Sequence, residues 1–373
     1  YATAHFGKWH MGGGRDVDDA PHPKAYGFDE SLVSFEGLGD RLLIEGDGLS
    51  RQSSQLRQGN IQWVPKHRLT PMYVDRSVDF IERNHDKPFY LHLWLNDVHD
   101  PFRPTEEQLE KFKRFADNKP TQQYYAVIDA MDQEIGRLVK KIDDLGLKEK
   151  TLIVLCSDNG PTAWPHYEKR GFEAPGSTAG LRGRKWSLYE GGIREPLIVR
   201  WPAKVPQGKT NKDSVVSSLD FLPTFCALAG IEPPEVEFDG VDQSELFLGK
   251  DTKRTKPLLW EYGRDASYLR PAKEKDRSPN MAIRDGHWKL LMNADGSDVE
   301  LYDFEKSDKE LDNVAADHPD ITAKLKQQLI LFRDAIPDYP STSSKGAWKV
   351  IFGKENLVDC CIVPFDASKR GPT

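Results

Sequence analysis

Lysine and histidine stand two positions apart in Gly7-Lys8-Trp9-His10, with Met11 and the glycines Gly12, Gly13 and Gly14 following. On an extended segment such residues point the same way, so Lys8 can hold an anionic oxygen while His10 handles a proton. The glycines let the main chain approach a ligand closely. A second histidine, His99, lies in Asn96-Asp97-Val98-His99-Asp100-Pro101-Phe102, just past a short apolar run. Its ordinary pKa is near working pH, which suits protonation of a departing alkoxide. Ser157-Asp158-Asn159-Gly160 follows another apolar run and sets a carboxylate beside an amide oxygen, the hard donors that Ca2+ or Mg2+ prefers. Arg182, Arg184 and Lys185 cluster ahead of Glu190-Gly191-Gly192-Ile193-Arg194, positive charge suited to a sulfate or a phosphate. Between these two motifs lie Trp164, His166, Tyr167 and Arg170, side chains able to stack on a sugar and hold further anionic groups. Each string alone also fits an ordinary turn or a solvated charge run; their joint occurrence carries the weight.

Groups of this kind need strand ends to position them. The run 89–95 is short, apolar and aromatic, and 151–156 and 196–201 are further runs of the same kind, all three reading as buried strands. Val74, Val78 and Ile81 recur at helical spacing, with a stop expected near Asn84-His85. Ile128, Met131, Ile135, Leu138 and Ile142 form the strongest helical stripe, closed by Gly146, and 219–228 reads as a helix closed by Gly230. Strands separated by helices predict an α/β fold, with a mostly parallel central sheet and helices on both faces. In such a sheet the loops past the strands' carboxyl ends converge on a crevice. After about residue 250 the pattern changes. Short strand candidates at 257–262, 281–284, 288–292 and 300–303 predict an antiparallel sheet, and Ile321, Leu325, Leu329 and Phe332 give a helix to cover it. The expected division is a main domain over 1–255 and a smaller domain with the tail over 256–373.

The chain has 373 residues, 38% hydrophobic and 30% charged, with a formal net charge of -7. That composition is globular, and the charge argues against a general nucleic-acid binder. No apolar run is long enough for a membrane span. Four cysteines are too few for a disulfide framework and lack zinc-site spacing. Cys156 and Cys226, within apolar runs, read as buried thiols, while Cys360 and Cys361 leave their pairing open.

In residue type and order these motifs resemble the type I sulfatases of the alkaline-phosphatase-like superfamily. Asp220 to Thr224 with Leu228 to Gly230, and Glu300 to Asp303 with the 310–313 region, extend the match to about Phe332. The resemblance implies that Asp158 and Asn159 are half of a calcium site, and that Lys8 and Lys185 grip the sulfate oxygens. His10 would partner a formylglycine hydrate, and His99 would face the leaving oxygen. It further implies a formylglycine-generating or sulfatase-maturing enzyme as partner, a sulfated small molecule or oligosaccharide as substrate, and a periplasmic, extracellular or lysosome-like setting. The Cys/Ser-x-Pro-Ser-Arg motif that yields formylglycine does not occur here, nor does the family's early Asp-Asp pair. Because both precede the Gly-Lys-x-His motif, truncation at the amino terminus is expected, with an inactive fragment as its consequence. A phosphoric or phosphonic ester hydrolase, or a non-catalytic anion-binding homologue, is the competing reading.

Overall fold

Residues 2–8 alternate little in polarity and are buried in the middle, as a strand flanked on both sides requires. In the computed structural model, which describes residues 1–9, 22–34, 39–55, 59–262 and 270–336, this strand sits inside a five-stranded sheet. The chain divides into two compact units, Tyr1–Thr151 and a second that begins at Leu152. The boundary expected at 255/256 falls inside the second unit, and it stays a proposal.

In the first unit the strands are β1 (Ala2–Lys8), β2 (Glu30–Ser34), β3 (Arg41–Ile44), β4 (Ile61–Val64) and β5 (Phe89–Trp94). Their order is β4-β3-β2-β1-β5, and every pairing is parallel. Of these strands, β5 is the one that the expected apolar run 89–95 becomes. The helices are α1 (Gly48–Ser54), α2 (Leu69–Asn84), α3 (Glu106–Glu110) and α4 (Lys119–Asp144). Helix α2 buries Tyr73, Val74, Phe80 and Ile81 and packs on β1 and β5. There Phe80 meets Phe6 and Phe89 edge-on, at ring centroids 6.2 and 6.1 Å apart. Helix α4 starts where the Asn118 side chain accepts from the Thr121 N–H, and Gly146 just past its end adopts a left-handed φ of 70°.

Beneath the strand ends, His5 and His92 face each other across the β1–β5 pairing with their Nδ1 atoms 3.3 Å apart. Trp9, Trp94 and Phe28 crowd the His5 ring. Burial, reinforced by the neighbouring His92, pushes the His5 pKa down to about 3, and burial brings His92 down to about 4. Both rings are therefore neutral in the fold and protonate near pH 6.5 only when unfolded. The unfolded state takes up more protons, so this stability is complete above about pH 6.5 and is lost as pH falls toward 4. Denaturant titrations from pH 7 to pH 4 are expected to show falling stability, with a shallower decline in His92→Phe. Equal slopes for the two proteins would show the pair to be uninvolved.

In the second unit, β6 (Ile153–Cys156) and β7 (Leu197–Arg200) pair antiparallel, Ile153 opposite Arg200 and Cys156 opposite Leu197. This corrects the expectation of crossover strands for these two runs, since an apolar run carries no record of strand direction. Leu155, Cys156 and Ile198 are exposed, so the thiol is not buried as its apolar neighbours suggested; among the described residues β6 pairs with β7 alone. The short helices α5 (Pro165–Lys169) and α6 (Glu190–Ile193) lie between these strands. Helices α7 (Phe221–Ala229), closed by Gly230 at φ 68°, and α8 (Ser244–Phe247) follow β7. Strands β8 (Leu258–Glu261), β9 (Met281–Asp285), β10 (Trp288–Met292) and β11 (Glu300–Asp303) form the expected antiparallel sheet, in the order β11-β10-β9-β8. Helix α9 (Pro319–Ala335) sets Leu325 and Leu329 against Met281, Ile283, Leu290, Met292 and Leu301. Each leucine buried there contributes about 1.5–3 kcal/mol.

Candidate active site

The chain runs from β1 outward through β2, β3 and β4, then returns to place β5 on the other side of β1. The carboxyl ends of β1 and β5 thus flank the point where strand order reverses, the position where open α/β sheets bind ligands. Lys8 is the last residue of β1, and the 95–101 loop leaves β5 beside it. Hydrogen bonds tie the three adjacent strand ends together. The Trp9 N–H donates to the Ser34 carbonyl at 2.9 Å, and the Ser34 hydroxyl donates to Asn96 Oδ1 at 2.8 Å.

His99 is held by its loop. Its N–H donates to the Asn96 carbonyl at 3.0 Å, and its Nδ1 lies 2.7 Å from the Asp100 carbonyl. A carbonyl can only accept, so Nδ1 carries a proton. The buried Lys66 ammonium donates to the carbonyls of His99 and Pro101. Desolvation pushes its pKa down while Asp97, Asp100 and Asp47 oppose that shift. Asp97, whose carboxyl burial pushes up, accepts from the Thr70 hydroxyl at 2.5 Å. Lys66 and Thr70 gave no sequence signal, because their roles arise from where α2 and the short turn before it dock. His10 lies outside the described residues, as do Cys360 and Cys361.

The second unit holds the other candidates. Asp158 is exposed past the end of β6. The Asn159 amide nitrogen donates to the Gly160 carbonyl at 3.0 Å, which leaves its oxygen as the atom to offer a cation. Glu195 lies close enough that the Asp158 charge, added to its own burial, pushes its carboxyl up to about 7. Asp158, Asn159 and Glu195 are all hard oxygen donors, a set that fits Ca2+ or Mg2+.

The basic cluster divides by role. Arg184 donates to the carbonyls of Thr162, Ala174 and Pro175 at 2.8, 3.1 and 2.7 Å. Arg182 donates to the Lys275 and Glu310 carbonyls and to the Tyr302 hydroxyl, and stacks on the Tyr189 ring at 3.8 Å. Both guanidinium groups therefore tie their loop to neighbouring segments, and Lys185, next in the chain after Arg184, has its N–H on the Pro161 carbonyl at 3.0 Å. Trp164 meets Trp186 at 4.7 Å and 90°, two walls of an aromatic corner beside Lys185. Trp186 has a φ of 74°, unusual for a bulky side chain. His166 is exposed with its ring 4.2 Å from that of buried Tyr167, and Arg170 is exposed. A separate group that sequence spacing did not show, His287, Asp303 and Glu305, comes together through the β10–β11 pairing.

The first unit thus carries charged groups at the switch point of a parallel α/β sheet, and the second carries oxygen donors and a lysine-bearing loop. Residues 1–231 match the family model described as Sulfatase, and residues 183–335 match that of N-sulphoglucosamine sulphohydrolase, C-terminal. The chain belongs to the sulfatase family. It is 28% identical to N-acetylgalactosamine-6-O-sulfatase of Bacteroides thetaiotaomicron over 265 residues, 70% of this chain and 50% of that protein. With human arylsulfatase A it shares 29% identity over 280 residues, 70% of this chain and 51% of the relative. The chain thus spans about half the length of these curated relatives. The solved structure of Ps i-CgsB in complex with k-i-k-neocarrahexaose superposes with a TM-score of 0.70 at 24% identity, covering 96% of this chain and 78% of that one. No helix among the described residues is long and apolar enough to cross a membrane.

Proposed function

We propose that the protein carrying this chain hydrolyses sulfate esters, releasing inorganic sulfate from a sulfated carbohydrate. Family membership supports the reaction, and the observation that carries the site reading is the meeting of Lys8 and the His99 loop at the β1–β5 switch point. In this reading Lys8 and Lys185 neutralise the equatorial oxygens of the sulfate, charge that grows in the transition state. His99 Nε2 gives its proton to the departing alcohol oxygen, and Lys66 keeps the loop carbonyls in place so that the ring holds its orientation. His10 is assigned to the proton traffic of the nucleophile. Asp158 and Asn159, with Glu195 beside them, would hold the divalent ion, proposed to be Ca2+. Bound there, the ion would lower the cost of deprotonating an attacking hydroxyl. The nucleophile is assigned to a formylglycine encoded outside these 373 residues, made by a maturing enzyme, and the setting to the periplasm, the exterior or a lysosome-like compartment. The domain boundary at 255/256 belongs to the same proposal.

Trp164 and Trp186 form the wall on which a sugar ring stacks, with exposed His166 at its edge. Arg182 and Arg184 serve by shaping the loop around Lys185. Stacking contacts are worth about 0.5–1.5 kcal/mol, up to about tenfold in KM. In the protein expressed with its upstream coding sequence, Trp164→Ala is expected to raise KM for a sulfated oligosaccharide by that factor and leave an aryl sulfate unaffected. Equal changes on both substrates would overturn the carbohydrate assignment. The 373-residue chain by itself is expected to release no sulfate from either.

A further inference from the structure

Three charged side chains lie almost wholly out of water in the second unit: Lys289 on β10, Glu190 at the start of α6, and Glu310. The Lys289 ammonium sits 2.8 Å from Glu190 Oε1 and 2.8 Å from Glu310 Oε1. Arg284 on β9 and Arg194 approach Glu190 Oε2 at 3.4 and 3.9 Å. The Glu190 N–H donates to Glu310 Oε2 at 2.6 Å, and the Glu310 carbonyl accepts from Arg182 at 3.0 Å. Glu310 holds a left-handed φ of 52°, a conformation that a non-glycine residue keeps only when its surroundings enforce it.

What this cluster grips is the Glu190-Gly191-Gly192 turn, and both candidate loops rest on that turn. The Gly160 N–H, directly after Asp158 and Asn159, donates to the Gly192 carbonyl at 3.0 Å. The Gly191 N–H donates to the Arg182 carbonyl at 2.7 Å, and the Lys185 N–H reaches back to Pro161. The packing leaves no room for adjustment. A Cβ on Gly160 would stand 2.0 Å from the Gly191 carbonyl oxygen, and one on Gly192 would stand 2.2 Å from that of Ser187. A shift of the turn is therefore transmitted to the Asp158-Asn159 end and to the Lys185 loop together.

A buried ion cluster is a poor device for stability alone, since apolar residues of similar volume do as well or better. Its distinctive property is direction, because it fixes one carboxylate in one orientation. We infer that Lys289 and Glu310 are positioning residues, through which the antiparallel sheet holds the metal-donor loop and the Lys185 loop in register by way of Glu190. Arg284 is a secondary contact to the same carboxylate. This rests on the sulfate-ester reading for the roles of Asp158, Asn159 and Lys185, but the coupling itself is measurable on amide protons without turnover.

The test is residue-resolved hydrogen exchange on the 373-residue chain, wild type against Lys289→Met and Glu310→Gln. Lys289→Met leaves two carboxylates without their shared cation. The amides of Gly160, Lys185 and Gly191 are then expected to exchange at least tenfold faster, with those of Leu325 and Leu329 in α9 unchanged. Glu310→Gln keeps an acceptor for the Glu190 N–H, and burial with the nearby Glu190 charge already pushes the Glu310 carboxyl up against the opposing pull of Lys289. That variant is expected to stay within threefold of wild type at all five amides. Unchanged exchange at Gly160 and Lys185 in Lys289→Met would overturn the inference. So would equal acceleration at Leu325 and Leu329, which marks general loosening, or a Glu310→Gln variant as severe as Lys289→Met.

Discussion

Replacing Gly7 with alanine is expected to destabilise the first unit by more than about 4 kcal/mol, the range reached when a core must accommodate both a clash and a forbidden backbone angle. Gly7 pairs with Trp94 in the β1–β5 register and holds φ at +119°. A Cβ there would lie 1.8 Å from the Trp94 carbonyl oxygen, which is main chain and has no rotamer to yield. The two strands would have to part where Lys8 and the His99 loop emerge, so structure and site fail together. Gly136→Ala is the matched control. Gly136 lies inside α4 with nothing within 4 Å of its Cβ position, and there alanine is expected to add about 0.5–1 kcal/mol. Denaturant unfolding followed by tryptophan fluorescence measures both. A Gly7→Ala midpoint equal to that of the parent would mean the β1–β5 approach is not as close as described.

His99→Ala, in the protein with its upstream sequence, is expected to lower kcat on a carbohydrate sulfate by about 10²–10⁴, the usual worth of a positioned general acid. The loss depends on the leaving group. A nitrophenyl sulfate departs as a stable anion and needs little protonation, so its turnover is expected to fall less than tenfold. Lys66→Met should reproduce part of the same pattern, because the His99 and Pro101 carbonyls lose their shared donor while the imidazole remains. Equal losses of kcat on the two esters would remove His99 from the leaving-group role and place it among the groups that hold sulfate.

Much of this protein was legible in order and residue type. The α2, α4 and α9 helices announce themselves because helical spacing is local and Gly146 ends α4 at a left-handed turn. The antiparallel sheet shows because Asp285-Gly286 and Asp295-Gly296 interrupt runs of strand-forming residues. The motif strings were legible as a set, and they sufficed to point to the family. Other features depend on contacts between residues far apart in the chain, which no local pattern encodes. β1 and β5 are 80 or more residues apart in sequence, and only their pairing makes Gly7 indispensable and buries His5 against His92. Strand direction is likewise silent in an apolar run, and so β6 and β7 proved antiparallel. Charge alone grouped Arg182, Arg184 and Lys185, but which of them meets a carbonyl is set by loops folded onto them from as far away as Glu310. By itself, then, the sequence determined the chemistry available and the strand-end loops that display it, since both are properties of short segments. Only the tertiary structure decided which basic groups are spent on the fold, and that Lys289 reaches Glu190, because those outcomes are settled by geometry between distant segments.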